Sequence, residues 1–200
     1  MAAQRPPPLA RTLKDTRACR ICEVHLPLGP RPVLRASATA RLLIIGQAPG
    51  TKVHETGIPF NDPSGDRLRD WLGLDREAFY DESFLAIVPM GFCYPGKGSS
   101  GDAPPRPECA PQWHAPLRAA MPKIGLTLLV GAYAQAHYLG EKRGKTLADT
   151  TRNYRAYLPE FLPTPHPSPR NRLWLRKNPW FEAEVVPDLR KRVKALLKKK

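Results

Sequence analysis

Arg41-Leu42-Leu43-Ile44-Ile45-Gly46-Gln47-Ala48-Pro49-Gly50 is an apolar run that stops at a glycine and passes directly into a turn. The run reads as a strand. The glycines permit a tight turn and close backbone approach. Such a turn can aim N–H groups at an anion, although an ordinary strand-to-helix turn carries the same pattern. Three further strand-like runs follow. Residues 84–89 (FLAIVP) are the second, Leu126–Val130 (LTLLV, ending at Gly131) is the third, and the weaker 161–165 (FLPTP, ending at His166) is the fourth. Helical patterns lie between them, over 64–72, 111–121 and Ala132–Leu139, the first after the helix-start signal Asp62-Pro63. Strands alternating with helices predict an α/β fold. It should be a single three-layer domain with a central, mainly parallel four-stranded sheet and helices on both faces. In open sheets of this kind, ligands bind beyond the C-terminal strand ends.

The 200 residues suffice for one domain with a hydrophobic core. Residues 1–16 are expected to be disordered, 17–195 to form the domain and 196–200 to be a basic tail. The closing stretch 189–200 (LRKRVKALLKKK) reads as a basic helix that frays at its lysines. No apolar run approaches a membrane span, and residues 1–12 carry three prolines and no apolar core of a secretory signal. A cytoplasmic monomer is expected. Lys and Arg number 32 against 18 Asp and Glu, a net charge of +14. The excess is not confined to one short tail, and it points to a polyanion partner, with a merely solvated charged face as the alternative. The 24 prolines are more than twice the roughly 5 % average and imply many ordered loops or loose ends.

Two further groups carry chemistry. His166-Pro167-Ser168-Pro169-Arg170-Asn171 follows the fourth run, and two prolines stiffen a loop presenting one histidine beside a basic tip. A strand-end histidine is a candidate electrophile, or an incidental member of a surface turn. The four cysteines are Cys19, Cys22, Cys93 and Cys109. The first two form C-x-x-C. Their spacing matches neither a regular zinc ribbon nor a ferredoxin, so the residues alone leave an iron–sulfur cluster, a structural zinc or free thiols open.

In combination these segments resemble the uracil-DNA glycosylases. Gly46-Gln47-Ala48-Pro49-Gly50, then Gly57, Pro59-Phe60 and Gly65, resemble motif A, most nearly that of the iron–sulfur class known as family four. His166-Pro167-Ser168-Pro169 resembles motif B. Leu129-Val130-Gly131-Ala132, followed by Leu139-Gly140, resembles that class's third strand and helix. The cysteine order agrees as well: C-x-x-C ahead of motif A, then two cysteines flanking the segment that holds Pro104-Pro105-Arg106-Pro107-Glu108. The matches run from Cys19 to about Pro179.

The resemblance implies a repair enzyme that hydrolyses the N-glycosidic bond of uracil in DNA and leaves an abasic site. It implies a 4Fe-4S cluster on Cys19, Cys22, Cys93 and Cys109, with zinc as the alternative. His166 would donate a hydrogen bond to the leaving base. Gly46, Gln47 and Ala48 would bind that base through the turn, and Gln47 joins His166 as a catalytic candidate. Phe60 would be the stacking platform, unless it is a core phenylalanine. Ser168, Pro169 and Arg170 would fill the space that the flipped base vacates, and Arg172, Arg176 and Lys177 would hold phosphates. His54, Glu55 and Gln47 are the candidates for orienting the attacking water. Three departures stand out. Thr51-Lys52-Val53-His54, with Glu55 next, stands where family four has an acidic run after the motif-A turn. Ala48 replaces the Asp that aligns the water in the superfamily's best-known members, an Asp that family four also lacks. Pro89 stands where family four has a base-reading Asn. Hypoxanthine excision and non-catalytic lesion binding therefore remain alternatives.

Overall fold

In the computed structural model, which describes residues 8–99 and 101–198, the four apolar runs all become strands of one sheet. The six strands are β1 (Leu42–Ile45), β2 (Leu85–Ile87), β3 (Lys97–Gly98), β4 (Gly101–Asp102), β5 (Leu126–Val130) and β6 (Phe161–Thr164). The sheet has the order β2-β1-β5-β6, and every pairing in it is parallel. β3 and β4 pair separately as an antiparallel hairpin. The helices, in chain order, are α1 (Leu9–Arg17), α2 (Thr51–Thr56), α3 (Pro63–Leu72), α4 (Arg76–Tyr80), α5 (Cys109–Ala119), α6 (Ala132–Leu139), α7 (Leu147–Arg152), α8 (Arg172–Lys177) and α9 (Val186–Lys198).

Successive strand residues face opposite sides of the sheet, which explains the continuous apolar runs. Leu42 and Ile44 of β1 pack with Leu68, Trp71 and Leu72 of α3 and Leu189 and Val193 of α9. Leu43 and Ile45 pack on the other face with Leu117 of α5 and Ala134 and Leu139 of α6. All four β1 side chains are fully buried. Each such burial stabilises the fold by roughly 1.5–3 kcal/mol. The result is the expected three-layer α/β domain. Among the described residues, no helix is long and apolar enough to cross a membrane.

Two boundaries differ from expectation. Residues 1–7 lie outside the described residues, but Leu9–Arg17 is a helix rather than disordered. Its buried face carries Thr12 and Thr16, whose hydroxyls return to backbone carbonyls one turn earlier, with Leu9 and Leu13 against the α5–α6 side of the core. A face built half from threonine leaves a weak hydrophobic pattern beside the prolines. At the other end, α9 continues through Lys198, and the last two lysines of the expected tail lie outside the described residues. Leu189, Val193 and Leu196 hold it against the core.

The strand order reverses between β1 and β5. The chain leaves β1 for one edge, then crosses over to β5 on the far side of β1. This switch point opens a crevice beyond the C-terminal ends of those strands.

Candidate active site

All four strand ends of the sheet deliver residues to that crevice: the turn after β1, Pro89 after β2, Tyr133 after β5 and His166 after β6. The loops enclose a cavity of about 620 Å³, lined by Gly46, Gln47, Ala48, Phe60, His166, Ser168, Pro169 and Arg170 among others. All five proposed base-contacting residues and the three from the histidine loop tip thus share one space.

Phe60 holds its place because two glycines make room. A Cβ on Gly46 would stand 3.2 Å from the Phe60 ring, and a Cβ on Gly65 would stand 1.7 Å from the Phe60 carbonyl oxygen. Phe60 itself has φ +53°, an uncommon backbone for a non-glycine residue. Its ring meets Phe79 edge-on at 6.2 Å while also lining the cavity. The residue is therefore both core-anchored and open to a ligand. The following Asp62 caps α3, accepting from the Gly65 N–H at 2.9 Å, with Pro63 in the first turn.

At His166, Nδ1 accepts the backbone N–H of Ser168 at 3.2 Å. A backbone N–H can only donate, so the neutral ring carries its proton on Nε2. Burial pushes the His166 pKa below the usual histidine value, against an opposing pull from Asp62. The loop is braced by Asn171, whose side-chain amide donates to the His166 carbonyl at 2.7 Å. Gly131, at φ +86°, passes close by: a Cβ there would lie 3.5 Å from the His166 Cβ.

The turn after β1 is tied down by its carbonyls. The Gly46 oxygen accepts from Met90 N–H and the Gln47 oxygen from Gly91 N–H, both at 2.9 Å. Among the described residues, the Gln47 and Ala48 N–H groups have no such protein acceptor. The Gln47 side chain donates from Nε2 to the Ala103 carbonyl at 3.3 Å, clamping the β3–β4 hairpin to the cavity. His54 and Glu55 do not line the cavity. The Glu55 carbonyl accepts from Arg31, and the His54 ring lies 6.1 Å from that of Tyr94.

The sequence reading missed Asp62, Asp102 and Tyr133, which also line the cavity. Asp62 carried a signal, Asp62-Pro63, that was legible only as a helix start. Asp102 sits in a hairpin with no apolar pattern, and Tyr133 opens α6 directly after Gly131. Burial raises the Asp102 pKa, Arg170 opposes the rise, Asp62 adds to it and Lys97 opposes it.

Arg172, Arg176 and Lys177 do not line the cavity, but α8 begins where the cavity-lining loop ends. All three are exposed. Helical spacing puts positions 172, 173, 176 and 177 on one face, and Leu173 stands among the cations at 62 % exposure. None of the three cations forms an ion pair among the described residues.

Cys19, Cys22, Cys93 and Cys109 line a second, small cavity. Burial pushes the Cys93 thiol up to about 11 and Cys109 to about 12, and it also raises Cys22. The Phe92 N–H donates to the Cys109 sulfur at 3.4 Å. Among the described residues, no three His, Cys, Asp or Glu side chains are placed to hold a single metal ion. Gly91 and Phe92 line this cavity; the Gly91 N–H donates to the Gln47 carbonyl of the other, and the Phe92 carbonyl accepts from its Val33 N–H, so two hydrogen bonds join the sites.

A family model described as the uracil DNA glycosylase superfamily matches residues 35–190. The match spans all four strands of the sheet, the turn after β1 and the histidine loop. The chain therefore belongs to the uracil-DNA glycosylase superfamily, a membership that indicates DNA glycosylase activity.

Proposed function

We propose that the protein hydrolyses the N-glycosidic bond of uracil in DNA, leaving an abasic site, and that it stands nearest the iron–sulfur class, family four. The observation that carries this reading is the fixed Nε2–H tautomer of His166, in one cavity with Phe60 and the turn after β1. Glycosidic cleavage sends the bonding electrons into the base and leaves an oxocarbenium-like sugar. A neutral imidazole donates a hydrogen bond to the base oxygen as that charge grows, without surrendering its proton. The Gln47 and Ala48 N–H groups supply further donors. Preorganised donors of this kind supply the largest share of many such rate enhancements. The base reaches them only when rotated out of the stack, at a cost of a few kcal/mol. Phe60 offers its face to the extruded base. Ser168, Pro169 and Arg170 occupy the gap, and Arg172, Arg176 and Lys177 hold phosphates.

The deciding experiment is a set of labelled oligonucleotides, each with one altered base, scored for abasic sites. Uracil should be released, from single strands at least as readily as from duplex, because unpairing is then spared. Release of hypoxanthine but not uracil would select a second reading, which one observation favours. Pro89 lines the cavity, has no N–H, and its carbonyl is already bonded to His114 at 3.0 Å. It therefore offers no side-chain hydrogen bond to a uracil edge. Tight binding with release of no base would make the protein a lesion-binding module.

We also propose that Cys19, Cys22, Cys93 and Cys109 hold a 4Fe-4S cluster, with zinc as the alternative. The shared cavity, the N–H donor to Cys109 and the chemistry of four thiols fit such a group. A metal centre favours thiolates where burial alone favours thiols. When bound, the cluster supplies a structural staple between the Cys19–Cys22 segment and the Cys93–Cys109 loop. Base hydrolysis moves no electrons between substrate and metal. Anaerobically purified protein should be brown and carry about four irons per chain. Zinc without iron would replace the cluster, and four free thiols without either metal would reject the site.

A further inference from the structure

Hydrolysis requires a water held near the sugar carbon, and Ala48 has no polar side chain to hold it. Among the described residues, two carboxylates line the cavity, Asp62 and Asp102. The Asp62 carboxylate is engaged by the Gly65 N–H as the cap of α3. At His166, Nδ1 is already accepting. We propose that Asp102, carried on the β3–β4 hairpin, binds and orients the attacking water. The assignment rests on the glycosylase reading above.

The hairpin fixes the backbone that carries this exposed side chain. Lys97 pairs with Asp102 and Gly98 with Gly101 across it. The Ala103 N–H donates to the Gly96 carbonyl at 2.8 Å, and the Ala103 carbonyl accepts from Gln47. The backbone on both sides of Asp102 is thus fixed, one side directly to the turn after β1. Gly50 leaves the space that the carboxylate uses, since a Cβ there would come within 3.2 Å of Asp102 Oδ2. Arg170 packs against Gly101 from the histidine loop. The charged groups facing Asp102 are Arg170, Asp62 and Lys97. Asp102 is exposed at the cavity wall, and partial desolvation there raises its pKa, which makes the carboxylate a stronger base than a free one.

The step balances. The C1′–N bond breaks with its electron pair going to the base, which His166 stabilises through Nε2–H and solvent then protonates. The water oxygen bonds to C1′, and its proton passes to the Asp102 carboxylate and on to solvent. The negative carboxylate also opposes the positive charge developing on the sugar.

The test uses the full chain, a uracil-containing single-stranded oligonucleotide and single-turnover conditions. Asp102→Asn keeps the size and removes the base. It should slow base release about a hundredfold, within the range for one general base, with DNA affinity changed less than threefold. The low-pH loss of rate in the parent should disappear in this variant, and Asp102→Glu should recover part of the rate. An Asp102→Asn enzyme that cuts at the parent rate would overturn the assignment. So would a rate loss matched by an equal affinity loss, or an unaltered low-pH limb. A parent chain that releases no base from any of the oligonucleotides would instead sink the glycosylase reading, and this assignment with it.

Discussion

At His166 a single backbone hydrogen bond sets the chemistry. With Nδ1 occupied by the Ser168 N–H, the Nε2 proton is the donor left to the base. Such a donor acts more strongly on the departing anion than on the bound base. His166→Ala should therefore lower the single-turnover rate by about two to three powers of ten. Affinity for uracil-containing DNA should change little, because backbone turns and phosphate contacts remain. A purely structural histidine predicts the reverse: less folded protein, each molecule still active. Rate per folded molecule separates the two, and a stable variant cutting at the parent rate would remove His166 from the mechanism. His166 was legible in the sequence because prolines and a strand end frame it. Asp102 was not, because Gly101-Asp102 has no period, no apolar partner and no neighbour of catalytic type. Only the fold brings it to Gly50. The water candidates His54 and Glu55 fall outside the cavity lining for a related reason. Adjacency to motif A along the chain does not decide which way α2 turns its side chains.

Secondary elements were legible in proportion to their apolar content. β1, β2, β5 and β6 bury both faces, so their runs announced themselves to within a residue or two. α1 and the β3–β4 hairpin left no such trace. α1 buries threonines, and the hairpin's strands are only two residues each. Packing between elements also carries a pH dependence. His114 of α5 has Nε2 against the Pro89 carbonyl beyond β2 and Nδ1 at 2.6 Å from the Tyr138 hydroxyl of α6. The carbonyl only accepts, so Nε2 donates and Nδ1 accepts from Tyr138. Burial pushes the His114 pKa down to about 4. In the unfolded chain it titrates near 6.5. Between those values the unfolded state binds more protons, so its population grows as pH falls. The stability from neutral His114 is complete above about pH 6.5 and is lost progressively down to about pH 4. The parent should lose roughly 3 kcal/mol more than His114→Gln over that window, read from urea unfolding at several pH values. Gln can donate to Pro89 and accept from Tyr138 but does not titrate. Parallel pH profiles for the two proteins would mean that His114 does not control acid stability.

For the whole molecule, the fold sets where the net charge of +14 can act. Charge alone points to a polyanion partner with a solvated face as the alternative, because a sequence does not say which cations share a side. The structure puts Arg172, Arg176 and Lys177 on one exposed face of α8, which directly follows the cavity-lining loop. A second set, Lys191, Lys194 and Lys198, is exposed on α9, which contributes nothing to the cavity lining. The two sets contribute equally to net charge, so they separate a binding path from a general field. Each phosphate neutralised releases a counterion and adds about 0.9 to the slope of log affinity against log salt on duplex DNA. Replacing Arg172, Arg176 and Lys177 with alanine should therefore flatten that slope by roughly 2 to 3 and weaken binding to all sequences alike. The triple alanine variant on α9 should flatten it far less, since charges beyond about 10 Å are largely screened at 0.1 M salt. Base release at saturating DNA should survive both sets of changes, because neither reaches the cavity. Equal flattening by the two variants would mean that diffuse charge drives binding. An unchanged slope in the α8 variant would place the DNA path elsewhere on the surface.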